Sequence, residues 1–248
     1  MKRCVLALAL VVCCALPARA GEVVVFAAAS LTNAVGEMIP LFSRLHPDLT
    51  VRADFAASGA LLRRMDNGDP CDVFLSADTQ TMDAAEDRGR IDAKTRTVFA
   101  GNALVLAVPV GNPAGVTGLE SLSLGGVRRI GVGNPDSVPA GRYAKRALQK
   151  RAMWFALTSK LVYYPSVRHV LAAIRKNDCD AGFVYATDAA IAGKAVDVAA
   201  TVPLTPPVTY AGAVATTAPN RQGAAAFLAF LATPEARAIL SRYGFTLP

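Results

Sequence analysis

Short apolar runs, each followed by a small or polar turn and then by a segment of helical period, constrain this chain more than any other feature. Residues 23–28 form one such run, and after Ser30 the residues Leu31, Ala34, Val35, Met38, Phe42 and Leu45 share one helical face, with a kink expected at Pro40. Residues 51–55 repeat the run, and Ser58-Gly59 opens a helix carrying Leu61, Leu62 and Met65. Residues 73–75 do so again, followed by Ser76-Ala77-Asp78 and a helix around Met82 and Ala85. Strands alternating with helices in this way predict parallel sheets in an α/β fold.

A longer strand over residues 104–110 ends in a Gly- and Pro-rich stretch, 111–118, that marks a change of region. A second set of units then begins. Residues 129–132 lead through Gly133-Asn134-Pro135 to a helix starting near Pro139, whose Tyr143, Ala144, Ala147 and Leu148 lie on one side. Residues 161–164 lead through Pro165-Ser166 to a helix with Val167, Val170, Leu171 and Ile174, and residues 181–185 form a buried strand with Thr187-Asp188 placed to cap the next segment. Near the end come a strand over 210–215, an Ala-rich helix over 222–232, and a last helix opened by Thr233-Pro234-Glu235 and stopped at Gly244.

The first twenty residues read as an export signal: Lys2 and Arg3, an apolar run over 5–16, then Pro17 and the small-x-small ending Ala18-Arg19-Ala20. The run is shorter than the roughly 20 residues that span a bilayer, so cleavage after Ala20 is the expectation, and a periplasmic location follows from it. A lipid-anchor reading of Cys13 or Cys14 fits poorly, because Val12 and Cys13 stand where a lipidation site needs Gly or Ala. Removing Lys2, Arg3 and Arg19 lowers the formal charge from +7 to +4, and the remaining basic residues are dispersed among acids, which argues against nucleic acid as a partner. Of five cysteines only Cys71 and Cys179 remain, in a compartment where disulfides form. The remaining chain is long enough for one large domain or for two lobes of about 100 residues.

In parallel α/β sheets ligands bind at the carboxyl ends of strands, where loops lead into helices. That rule selects Ser30, Ser58, the turn Val138-Pro139-Ala140-Gly141, the pair Ser166-Val167, and Tyr185 at a strand end. Several helix N-termini meeting in one cleft would hold an anion with backbone N–H groups and no formal positive charge. Each position also has a plainer reading. A serine at such a junction caps a helix more often than it holds a ligand, Pro and Gly suit a tight helix entry, and Tyr185 fits a core with its hydroxyl on backbone.

Four segments carry a resemblance: Phe26-Ala27-Ala28-Ala29-Ser30-Leu31-Thr32-Asn33-Ala34, Leu75-Ser76-Ala77-Asp78, Val138-Pro139-Ala140-Gly141-Arg142-Tyr143-Ala144 and Arg242-Tyr243-Gly244-Phe245. Together they resemble the periplasmic molybdate-binding proteins of ABC importers, a type II periplasmic solute-binding family, with the first and third segments the specific ones. The resemblance implies an oxyanion held by two serine hydroxyls, backbone N–H groups and one tyrosine hydroxyl. The matching positions are Ser30, Ser58, Ala140, Val167 and Tyr185, with Ala140 and Val167 acting through backbone N–H. No cofactor and no directly coordinated metal are implied, since the metal is bound as its oxyanion. The resemblance further implies two lobes, residues 21–102 with 212–248 and residues 103–211, joined by strands crossing near 101–104 and 209–213 and closing by a hinge. It implies a monomer whose partner is an ABC permease in the inner membrane. Cys71 and Cys179 would then precede strands of different lobes and remain free thiols.

Molybdate is fully deprotonated at neutral pH and only accepts hydrogen bonds, so a site of donors satisfies it. Hydrogen phosphate would leave its proton unpaired there, at a cost of about 1–3 kcal/mol or more. Sulfate has no such proton and must be rejected by size, while tungstate is nearly molybdate's double. Asp78 would be repelled by a dianion and reads as a helix cap facing away, and Arg142 and Arg168 read as field-adding or solvated residues. An enzyme is poorly supplied: the only histidines are His46 and His169, and no Gly-rich phosphate loop ending in Lys-Ser or Lys-Thr occurs. Ferric iron, suggested by Tyr163 and Tyr164, is disfavoured because neighbours on a strand face opposite ways.

Overall fold

The computed structural model describes residues 21–248. The export signal expected over 1–20 lies outside the described residues. Two five-stranded sheets organise the chain. The first has β1 (Gly21–Ala28) at its heart, with β2 (Leu49–Ala56) and β3 (Val73–Ser76) parallel to it on either side. Its Val, Phe and Ala side chains from Val23 onward are all buried, as a strand covered on both faces requires. The second sheet repeats the arrangement with β6 (Ile130–Gly133) between β7 (Leu161–Tyr164) and β8 (Ala181–Tyr185), again parallel.

The three helix-joined strands of each sheet are parallel, as expected, and antiparallel strands added beside them make both sheets mixed. β4 (Thr97–Asn102) and β5 (Leu104–Val108) are separated only by Ala103 and lie in different sheets, so the chain crosses there. β5 runs antiparallel to β8 and to β9 (Asp197–Val202). The return leads into β10 (Val208–Val214), antiparallel to β3 and β4 along its length. A strand arriving from the other lobe enters its sheet from the ligand end rather than through a helical crossover, so it runs against the strands it meets. We place the second crossing in residues 203–207, ahead of β10 rather than within it. β4 and β9 went unread in the sequence because both flank a sheet and are half exposed, which blurs the apolar pattern.

The helices are α1 (Thr32–Leu45), α2 (Ser58–Asp66), α3 (Thr79–Asp87), α4 (Pro139–Lys150), α5 (Val167–Arg175), α6 (Ala186–Ala192), α7 (Arg221–Phe230) and α8 (Pro234–Arg242). α1 continues through Pro40 and buries Ala34, Val35, Met38 and Phe42, whereas Leu45 at its end is exposed. Phe42 meets Phe227 and Phe230 of α7 edge-on, at 5.1 and 5.5 Å, so the C-terminal helices pack on the first lobe. Each such aromatic removed from water contributes about 1.5–3 kcal/mol. Cys71 and Cys179 are buried free thiols, the first ahead of β3 and the second ahead of β8.

Candidate functional site

Ser30 lies in a single 3-10 turn after β1, and Ser58 is the first residue of α2, after β2. Neither hydroxyl caps a helix. Ser30 Oγ lies 2.8 Å from Tyr210 Oη, and Ser58 Oγ accepts the Ala77 N–H at 3.1 Å. From the second lobe, α4 opens on Pro139 and Ala140 behind the end of β6. The N–H groups of Gly141 and Arg142 turn back to the Val138 carbonyl at 3.0 and 3.1 Å, while that of Ala140 belongs to the first-turn donors without a helical acceptor. α5 opens on Val167, with His169 and Val170 donating back to the Ser166 carbonyl at 3.1 and 3.3 Å. The Ser166 hydroxyl is engaged with His169 Nδ1 at 2.8 Å. Tyr185 closes β8, and its hydroxyl donates to the Ala77 carbonyl of the first lobe at 3.5 Å, too long for a strong bond.

Ser30, Ser58, Ala140, Val167 and Tyr185 all line one small cavity between the lobes, completed by small or apolar residues such as Ala28, Ala57, Ala77 and Pro139. No carboxylate, imidazole, thiol or cation is among its lining residues. Burial raises the phenols of Tyr185 and Tyr210 well above their ordinary range, so both remain protonated donors.

Outside the cavity, polar contacts bridge the lobes. Gly59 N–H donates to the Ser137 carbonyl at 2.9 Å. Asp78 caps α3 as expected, accepting Thr81 N–H at 3.0 Å, and its other oxygen takes Arg142 Nε of the second lobe at 2.7 Å. Arg142 also donates to Thr81 Oγ1 and to the Pro135 carbonyl, so it is a bridge across the seam, a role that neither the field-adding nor the solvated expectation included. Arg168 likewise reaches the Ser30 carbonyl at 3.3 Å. Tyr210, on β10, and Asn102, which donates to it at 3.4 Å at the end of β4, were missed in the sequence. Neither stands at a strand-to-helix junction, and no local pattern marks them.

Behind Tyr185, Asp188 of α6 is fully buried and accepts the Tyr185 N–H at 3.2 Å. Arg168 Nε lies 2.7 Å from its Oδ1, yet the N–H is poorly aimed and neither atom has a hydrogen-bond partner. Burial therefore outweighs the arginine and raises the Asp188 carboxyl to about 6. Folded protein then binds this proton more tightly than unfolded chain, so the Asp188 contribution to stability grows as pH falls from 6 towards 4 and is lost as pH rises through 6. The melting temperature of the wild type relative to Asp188→Asn is expected to rise by about 2–4 °C between pH 7 and pH 5. A difference that stays flat over that range, measured by calorimetry, would show an ordinary carboxylate.

The family described as bacterial extracellular solute-binding protein matches residues 23–246. The molybdate-binding protein ModA of Escherichia coli is 40% identical over 235 residues, 92% of this chain and 90% of its own length. The periplasmic molybdate-binding protein of Azotobacter vinelandii has the same fold, with TM-score 0.78 at 22% identity over 92% of this chain and 100% of its own. The sulfate-binding protein SubI of Mycobacterium tuberculosis fits as well, with TM-score 0.79 at 17% identity over 91% of this chain and 86% of its own. A molybdate binder and a sulfate binder thus share this backbone about equally, and the backbone alone does not choose an anion. What the match over residues 23–246 and the two-lobed fold establish together is that the chain belongs to the bacterial extracellular solute-binding protein family.

Proposed function

We propose that this protein captures molybdate, with tungstate as its close analogue, and delivers it as the substrate-binding component of an ABC importer. It acts as a periplasmic monomer facing an inner-membrane permease and carries out no catalysis. The observation that carries this reading is the convergence of Ser30, Ser58, Ala140, Val167 and Tyr185, drawn from both lobes, on one cavity lined by neutral groups. In it, Ser30, Ser58 and Tyr185 donate through hydroxyls, and Ala140 and Val167 through backbone N–H at helix starts, where the dipole favours an anion. The E. coli relative, named as molybdate-binding at 40% identity, supports molybdate over sulfate. Ferric iron takes carboxylate, imidazole or several phenolate ligands, and this lining offers only Tyr185.

Two lobes, one built on each sheet, would close on the anion, with the Arg142–Asp78 pair and the Gly59–Ser137 bond forming as they meet. A thermal-shift panel tests the reading. Molybdate and tungstate at about 100 times Kd are expected to add about 2.7 kcal/mol, a rise of roughly 5–11 °C, with smaller shifts for sulfate and phosphate and none for ferric ion. A panel in which sulfate or ferric ion gives the largest shift would overturn it.

A further inference from the structure

Arg142 of α4 and Asp78, the cap of α3, form the one ion pair between the lobes among the described residues, and every other such pair lies within a lobe. We propose that this pair is a latch on the closed form, and that it sets how fast the anion is released without taking part in choosing it. The proposal rests on the oxyanion reading above and names Arg142 as a positioning residue for it.

Both halves are held ready by their own lobe. Asp78 Oδ1 accepts the Thr81 N–H at 3.0 Å, and the Asp78 N–H donates to Ser76 Oγ at 3.3 Å, which leaves Oδ2 for the other lobe. Arg142 Nη1 donates at 3.1 Å to the carbonyl of Pro135, a residue of its own lobe. Across the seam Nε donates to Asp78 Oδ2 at 2.7 Å and Nη2 to Thr81 Oγ1, so all three guanidinium nitrogens are engaged. Side chains already fixed lose little freedom on pairing, and a planar fork holds both acceptors at once. The arginine side chain is 16% and the aspartate 4% exposed, so salt weakens the pair less than it weakens one at the surface.

The latch lies outside the cavity. Ala77 and Ala140 line it, whereas Asp78 and Arg142 do not. The pair therefore meets no atom of the ligand, and its contribution is the same for any anion that lets the lobes close. Other contacts across the seam are neutral or longer, such as the Gly59 N–H on the Ser137 carbonyl at 2.9 Å and Arg168 on the Ser30 carbonyl at 3.3 Å. Release requires the lobes to part, so breaking the pair belongs to release and not to capture by the open form.

The test uses Arg142→Ala, Arg142→Lys, Asp78→Asn and the double variant that joins Arg142→Ala to Asp78→Asn. Asparagine keeps the helix cap, and lysine keeps the charge but lacks the fork that holds both acceptors. Release of labelled molybdate into excess unlabelled ion gives the off-rate, calorimetry with molybdate and tungstate gives the affinity, and ligand-free melts check folding. Arg142→Ala and Asp78→Asn are each expected to speed release by about 10- to 100-fold, with the association rate changed by less than about 3-fold and both ions weakened by the same factor. Arg142→Lys is expected to fall between, and the double variant to release no faster than the faster single one, as coupled partners do. Folded variants that release molybdate as the wild type does overturn the latch alone. So does a loss confined to the Arg142 variants, which would make the arginine a brace of α4 only. A wild type that binds neither ion overturns the oxyanion reading and the latch with it.

Discussion

Gly141→Ala is expected to lower molybdate affinity by about 100-fold or more and to destabilise the ligand-free protein by about 1–3 kcal/mol or more. A Cβ at residue 141 would stand 1.8 Å from the carbonyl oxygen of Gly133 and 2.6 Å from its carbon, both backbone atoms at the end of β6. No side chain can yield there, so the start of α4 must move away from the strand. Ala140, whose N–H is assigned to the anion, is the preceding residue, and Arg142, which crosses to Asp78, is the next. One displacement therefore disturbs a donor and an interlobe contact together. Alanine's better helix propensity offsets at most about 1 kcal/mol of the strain. Calorimetric titration with molybdate and a ligand-free melt check both effects. A folded variant of unchanged affinity would mean that the α4 entry does not hold the anion.

The helix-joined strands were legible in the sequence because their signal is local. Residues 23–28 and 181–185 are apolar runs covered on both faces, and the turns after β1, β2, β6 and β7 carry Ser, Pro and Gly at the positions helix entries require. Since ligand sites in such sheets lie where strands hand over to helices, the same local signal pointed to Ser30, Ser58, Ala140, Val167 and Tyr185, and the fold brings all five to one cavity. What was not legible depends on how the lobes meet. Arg142 lies on α4 and Asp78 precedes α3, 64 residues apart in the chain, so a bridge between them cannot be read from the spacing of either. The antiparallel course of β5 and β10 likewise follows from crossing between lobes. Tyr210 reads as an ordinary strand aromatic until Ser30, 180 residues away, is placed against its hydroxyl.

The paired substitution of Ser30 and Ser58 by alanine is expected to have the largest effect on binding. Each hydroxyl bonded to a charged ligand is worth about 1.5–3 kcal/mol, or 10- to 100-fold in affinity. The two serines have separate partners, Tyr210 and the Ala77 N–H, so their losses should add to about 100- to 10,000-fold. Both come from the first lobe, so the double variant keeps Ala140, Val167 and Tyr185 of the second and loses the hydroxyls through which the anion would draw the first lobe onto it. A second effect is separable. Ser58→Ala leaves the Ala77 N–H without its acceptor and Ser30→Ala leaves the Tyr210 hydroxyl without its 2.8 Å partner, each costing about 1–3 kcal/mol of ligand-free stability. A melt reads that loss without molybdate, and a titration of the folded protein reads the loss of binding. If the double variant stays folded and binds molybdate as the wild type does, the hydroxyls are structural acceptors only, and the anion is held elsewhere.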